Sequence, residues 1–233
     1  MKTIGLIGGM GPMATVDLLK KIILSTDAQK DQDHIHVIVD NNTSIPDRSE
    51  AIWEKGPSPV PQLLESVNRL TDAGADFLIM SCNTAHYFLP KLQPHLRVPF
   101  LNMIEETAKY CVSKQINHVG LLASGGTYTS GIYNKIFANF NINVSVPDDA
   151  GKEICHKIIF EGVKAGNDNY NTQPFQSVLQ KMRQEGAASF ILGCTEMPLA
   201  IKTYNIAGHF IDATQVLAES AVRFAGAPCK SYL

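Results

Sequence analysis

Gly74-Ala75-Asp76-Phe77-Leu78-Ile79-Met80-Ser81-Cys82 returns 112 residues later as Gly186-Ala187-Ala188-Ser189-Phe190-Ile191-Leu192-Gly193-Cys194. Each copy opens on Gly-Ala, passes through a short apolar run and reaches a cysteine eight residues beyond the glycine. Thr3-Ile4-Gly5-Leu6-Ile7, followed by glycines, returns 115 residues later as His118-Val119-Gly120-Leu121-Leu122, followed by Ser124-Gly125-Gly126. Pro99-Phe100-Leu101-Asn102 returns more loosely as His209-Phe210-Ile211-Asp212, 110 residues on. Three matches in the same order with slowly drifting offsets read as two similar halves.

Short β-branched runs alternate with stretches of helical period. The strand candidates are Thr3–Ile7, Ile35–Val39, Phe77–Ser81, Phe100–Asn102, Val119–Ala123, Asn143–Val146, Phe190–Gly193 and His209–Ile211. Helical period marks Ala14–Leu24, Pro61–Ala73, Lys152–Ala165 and Gln173–Gln184. In the second of these, Leu63, Leu64, Val67 and Leu70 form an apolar stripe, and Gly74 stands where a residue closing a helix in the left-handed conformation belongs. Strand–helix alternation predicts right-handed βαβ units. The expected fold class is therefore α/β: two similar halves, each a mostly parallel sheet flanked by helices, related by a pseudo-twofold axis with a cleft between them. The expected division is 1–98 plus about 208–233 for the first half and 99–207 for the second, with Phe100–Asn102 open to either sheet.

Composition bounds the function. The 233 residues are 45% hydrophobic and 18% charged, ordinary globular values. A net charge of −2 supplies no basic field for nucleic acid and no basic face for an anionic membrane. No apolar run approaches the roughly 18 residues of a membrane span. Met1-Lys2-Thr3 precedes only a short Gly-broken apolar stretch, so no targeting segment is expected. The five cysteines, Cys82, Cys111, Cys155, Cys194 and Cys229, contain no C-x-x-C and suggest neither a disulfide framework nor a zinc knuckle. Free thiols in a reducing cytoplasm are the expectation.

The duplication singles out Cys82 and Cys194, each just past the carboxyl end of a strand, where open α/β sheets bind ligands. Each precedes polar residues able to open a helix, an environment that favours thiolate over thiol. Cys111, Cys155 and Cys229 have no counterpart in the other half and read as structural. Two opposed thiols suit proton transfer at one tetrahedral carbon: a thiolate removes a proton from one face while a thiol delivers one to the other. Racemisation by that route needs no pyridoxal cofactor, but it does need fixed donors to take up the charge of the carbanion-like transition state.

Gly8-Gly9-Met10-Gly11-Pro12 follows a strand and opens a helix with Pro12 at its first turn. Gly9 to Ala14 formally fits a dinucleotide fingerprint, but the acidic residue that follows the next strand, Asp40, stands 31 positions after Gly9 rather than about 20. An anion-holding turn for a substrate carboxylate is the competing reading. Arg48, in the polar loop from Asp40 to Ser49, is a candidate carboxylate clamp or a solvated loop residue. Lys164, late in its helix, reads by itself as a surface lysine complementing the helix dipole. His86, four residues after Cys82, leaves open a Cys–His metal pair or the base of a cysteine hydrolase. A non-catalytic amino-acid or nucleotide binding module stays open as well.

The sequence resembles the aspartate/glutamate racemase family. The resemblance is carried by Gly8-Gly9-Met10-Gly11-Pro12, Asn42 with Ile45-Pro46-Asp47-Arg48, Cys82-Asn83-Thr84-Ala85-His86, Met103-Ile104-Glu105-Glu106-Thr107, Glu161-Gly162-Val163-Lys164-Ala165-Gly166-Asn167 and Gly193-Cys194-Thr195-Glu196. It implies that Cys82 and Cys194 are the acid/base pair, and that Arg48 and Lys164 bind the carboxylates of an acidic amino acid. Asn83, Thr84 and Thr195 would donate hydrogen bonds beside the thiols. The same reading puts Met10, Asp47, Ser49, Ala85 and Thr127 among the substrate-binding residues. It implies no cofactor, no metal, and a homodimer acting on aspartate first and glutamate second, with a decarboxylase or isomerase of a diacid on the same scaffold as the alternative reaction.

Overall fold

The computed structural model describes residues 1–232. The chain divides into two compact units, Met1–Thr107 with 214–233, and Ala108–Ala213. The first contains β1 (Ile4–Gly8), α1 (Pro12–Ser25), β2 (Val37–Asn41), α2 (Arg48–Ile52), α3 (Val60–Asp72), β3 (Phe77–Met80), a 3-10 turn over Thr84–Phe88 and α4 (Leu89–Leu92). Helix α5 (Met103–Ser113) carries the chain past residue 107. The second unit contains β4 (His118–Ala123), α6 (Gly125–Ser130), α7 (Ile132–Ala138), β5 (Asn143–Ser145), α8 (Asp149–Lys157), α9 (Gln173–Gln184), β6 (Ser189–Gly193), α10 (Met197–Thr203) and β7 (Phe210–Asp212). Helix α11 (Ala213–Ala225) then belongs almost wholly to the first unit.

Both sheets are parallel. Their orders, β2-β1-β3 and β5-β4-β6-β7, place equivalent strands in equivalent positions. Strands β1, β3 and β6 are buried along their whole length, which explains why they read as continuous apolar runs without alternation. The duplication extends to register: Gly5 pairs with Leu78 and Gly120 with Phe190. It extends to packing too. A Cβ on Gly5 would stand 2.6 Å from Leu78 Cδ2, and one on Gly120 2.7 Å from Phe190 Cδ1, so each strand needs glycine under its neighbour's side chain.

The repeated Gly-Ala has a local cause. Gly74 (φ 95°) and Gly186 (φ 100°) end α3 and α9 in the left-handed region. In each, the glycine N–H donates to the carbonyl three residues back, and the following alanine N–H to the carbonyl five back, at 3.0 Å in both halves (Ala75 to Leu70, Ala187 to Met182). Two Schellman closures thus satisfy the last carbonyls of the helices and turn the chain into β3 and β6. Each unit has its own core. Leu63, Val67 and Leu70 of α3 pack with Ile7 and Leu78 in one, and Phe175, Leu179 and Met182 of α9 with Phe190 and Leu192 in the other. Each such side chain stabilises its unit by about 1.5–3 kcal/mol.

Two expectations change. Phe100–Asn102 forms no strand; a single parallel bridge joins Phe100 to Leu78 in the first unit. Its register matches that of Phe210 beside Phe190, where β7 does form. The helix expected over Lys152–Ala165 is α8 followed by a π turn over Ile158–Val163. Gly162 lies in that turn, where a Cβ would meet the Tyr204 hydroxyl at 2.7 Å, so tyrosine packing replaces a regular helical face.

Candidate active site

In the first unit the carboxyl ends of β1 and β3 are tied together. Gly9 N–H donates to Thr15 Oγ1 at 2.9 Å, and Thr15 Oγ1 lies 3.2 Å from Ser81 Oγ. Ser81 N–H donates to the Ile7 carbonyl at 3.0 Å. Cys82 follows directly, buried at 6% exposure. Gly9 has φ 90°, and a Cβ there would meet the Asn42 backbone oxygen at 2.2 Å. The glycine is therefore demanded by the protein's own β2 loop rather than by a bound phosphate, which removes the main support for the dinucleotide reading.

That loop carries the arginine. Asn42 Oδ1 accepts Ser44 N–H at 3.2 Å and Ser44 O–H at 2.6 Å, while its amide donates to Ser66 Oγ on α3 at 3.2 Å. Asp47 caps α2, accepting Ser49 N–H at 2.8 Å and Glu50 N–H at 2.9 Å. The half-buried Arg48 guanidinium donates to the carbonyls of Pro46 at 3.0 Å, Ile45 at 3.3 Å and Met10 at 3.5 Å. Its Nε is buried without a hydrogen-bond partner. Met10, Asp47, Arg48 and Ser49 are thus brought together. Asn83, Thr84 and Ala85 are buried after Cys82, and Thr84 opens a 3-10 turn rather than an α-helix.

His86 is neither ligand nor base. Its Nε2 accepts Met103 N–H at 3.2 Å, so Nδ1 carries the proton and donates to the Cys82 carbonyl at 2.8 Å. Burial lowers its pKa to about 4, leaving a neutral ring that serves the N-terminus of α5 together with Asn102, whose Oδ1 accepts Ile104 N–H at 3.0 Å. The Cys–His metal pair and the hydrolase base are both overturned by these contacts.

In the second unit Cys194 follows β6 and is partly exposed. Its Sγ donates to Glu196 Oε2 at 3.0 Å, and Thr195 Oγ1 donates to the same oxygen at 3.0 Å. Lys164, just beyond the π turn, pairs with Glu196 Oε1 at 3.7 Å and lies 4.2 Å above the Phe160 ring. Burial first, and the Glu196 charge second, push the Cys194 thiol well above its ordinary range. This corrects the expectation that both thiols sit among groups favouring thiolate. Thr127 is buried in α6, after the neighbouring strand, with Oγ1 3.3 Å from Ser124 Oγ. Glu196 was not among the expected site residues. Its signals were its place two positions after a cysteine and within Gly193-Cys194-Thr195-Glu196, one of the stretches that carry the resemblance.

The remaining thiols behave differently. Cys111 and Cys155 are fully buried, and burial pushes each up to about 12. Cys229 lies near the chain end, with Sγ 3.8 Å from the Glu219 carbonyl oxygen. Among the described residues no group of three or more His, Cys, Asp or Glu is placed to hold a metal. No helix among them is long and apolar enough to cross a membrane.

Two helix-flanked parallel sheets, with a thiol just past the end of the third strand of each order, are the α/β fold of a racemase family, which makes the protein an isomerase. The chain belongs to the Asp/Glu/hydantoin racemase family, whose model matches residues 7–221. It is 36% identical to the aspartate racemase of Picrophilus torridus, covering 99% of this chain and 96% of that one with a TM-score of 0.85. An aspartate racemase homologue from Pyrococcus horikoshii is 28% identical, with 97% and 100% of the chains covered and a TM-score of 0.80. The broad specificity amino-acid racemase RacX of Bacillus subtilis is 26% identical over 94% of this chain and 96% of its own.

Proposed function

We propose that this protein interconverts L- and D-aspartate, with glutamate as second substrate, by proton transfer at Cα between two cysteine side chains and without pyridoxal phosphate. The observation that carries the reading is the equivalence of Cys82 and Cys194. Each stands one or two residues past the end of a strand in the same place of two sheets of the same order. In this reading the 1–98 and 99–207 halves of the sequence supply one thiol each to opposite faces of the substrate Cα. A thiolate takes the α-proton and the other thiol returns one, so no proton is gained or lost overall.

Arg48 and Lys164 take the two carboxylates. Fixed by three carbonyls, Arg48 is pre-positioned, and its unpaired Nε is a donor that an anion would satisfy. Asn83, Thr84 and Thr195 donate beside the thiols, and Met10, Asp47, Ser49, Ala85 and Thr127 shape the pocket around them. The reading includes a homodimer and a reducing cytoplasm. The exposed apolar stripe Met13, Val16, Ile23 and Leu24 on α1 supports the first, and five free thiols support the second.

Incubation with L-aspartate in D₂O tests the reading: α-deuterium should enter as optical activity is lost. Absence of exchange with every acidic amino acid would refute it. Full racemisation by Cys194→Ala would refute the two-thiol route alone. The likeness to RacX motivates running the same assay over neutral and basic amino acids, which measures the substrate range.

A further inference from the structure

The duplication breaks immediately beyond the two thiols. Asn83-Thr84 follows Cys82, whereas Thr195-Glu196 follows Cys194, so the only carboxylate at this position of the repeat belongs to the second unit. That carboxylate is built in from three sides. It accepts the Cys194 S–H and the Thr195 O–H on one oxygen, each at 3.0 Å, and meets the Lys164 ammonium with the other at 3.7 Å. Glu196 is also the residue from which α10 starts, so its backbone is fixed by the Ala200 N–H donating to its carbonyl at 3.0 Å.

We infer that Glu196 is a positioning residue that aims the Cys194 thiol and keeps its proton on sulfur, so that Cys194 is the donor and Cys82 the acceptor in the resting enzyme. The assignment of donor and acceptor rests on the racemase reading; the control of Cys194 by Glu196 does not. The 3.0 Å hydrogen bond from Cys194 to Glu196 exists only while sulfur carries hydrogen. If the thiol ionised, a thiolate and a carboxylate would face each other at hydrogen-bond distance. Lys164 opposes this, since its ammonium favours thiolate and also draws charge from Glu196. A substrate carboxylate arriving at Lys164 would add negative charge near the pair and hold the proton on Cys194 more firmly until transfer.

Other groups stand within electrostatic reach of this thiol. Tyr128 of α6 and Tyr133 of α7 both sense Cys194, and Cys155 of α8 and Asp212 of β7 act on those phenols. Burial pushes the two tyrosines and Cys155 upward, so they remain neutral at ordinary pH. Glu196 and Lys164 are left as the charged groups acting directly on the sulfur.

The test is the rate of iodoacetamide alkylation at Cys194 against pH, followed by peptide mass mapping of the intact protein without substrate. In Glu196→Gln the midpoint should fall by about one pH unit or more, raising the rate at pH 8 about tenfold. Lys164→Met should move it the other way, and Glu196→Asp should retain part of the wild-type midpoint. The limiting rate at high pH reports access to sulfur, so a change in packing alone would alter that plateau and leave the midpoint in place. An unchanged midpoint in folded Glu196→Gln, confirmed in Glu196→Ala, overturns the inference. A shifted midpoint in a protein that racemises no amino acid overturns the racemase reading and leaves the control of Cys194 standing. In an active enzyme, Glu196→Gln should also move the pH–rate profile, an effect that loss of folding would not produce.

Discussion

His86 accepts the backbone N–H of Met103 on Nε2 at 3.2 Å, which fixes its tautomer and directs Nδ1–H to the Cys82 carbonyl. The histidine therefore joins the segment after β3 to the start of α5 through a ring that must stay neutral.

Stability should consequently depend on pH in a defined window. Burial lowers the His86 pKa from 6.5 in the unfolded chain to about 4. Below pH 6.5 the unfolded state takes a proton that the folded state refuses, so stability falls as pH drops from about 6.5 to 4 and levels off below. The loss from this group is about 3 kcal/mol. Urea unfolding of wild type and His86→Gln at pH 7, 5.5 and 4 isolates it: the difference between them should shrink by that order across the window. A constant difference would refute a neutral buried ring.

Gly9 and Gly11 should respond oppositely to alanine. Gly9 has φ 90° and Asn42 backbone in the way of a Cβ, whereas nothing lies within 4 Å of a Cβ on Gly11. Gly9→Ala should cost about 2 kcal/mol or more and disturb the loop that carries Arg48, while Gly11→Ala stays within about 1 kcal/mol. Thermal melting of the two variants checks the contrast, and equal effects would contradict it.

The architecture was legible because the chain states it twice. Gly74 and Gly186 each close a helix, and Gly5 and Gly120 each lie under a neighbour, so both copies of the pattern carry the same physical demands. Legibility ended where the copies diverge. Glu196 has Thr84 as its counterpart, and a single carboxylate in a polar stretch has no period or spacing to mark it. The π turn was invisible for another reason: Ile158, Ile159 and Val163 fit a helical stripe, and the packing of Tyr204 against Gly162 depends on a contact 42 residues away. His86 misled because its two partners are backbone groups, which sequence spacing does not reveal.

Arg48→Lys should be far from conservative. Three carbonyls at 3.0 to 3.5 Å are met by one rigid fork, which an ammonium on a flexible stem cannot reproduce while still facing an anion. If aspartate is the substrate, as proposed, its KM should rise about tenfold or more, corresponding to about 1.4 kcal/mol, with little change in melting temperature. An unaltered KM would remove Arg48 from the carboxylate-binding role and leave it as a pin for its own loop.

The thiols outside the duplicated pair should separate by burial in a labelling experiment on the native protein. Cys111 and Cys155 are fully enclosed with pKa values pushed up to about 12, so at pH 8 they combine a negligible thiolate fraction with no path for reagent. Cys229 is raised as well, chiefly by burial, but it is partly exposed and Arg223 favours its thiolate. Ellman's reagent should therefore reach Cys229 well before Cys111 or Cys155, which should react only as the protein unfolds in denaturant. Peptide mapping after a short exposure assigns the sites. Early modification of Cys155 would show that the core of the second unit opens on the timescale of labelling, since no static route leads to that sulfur.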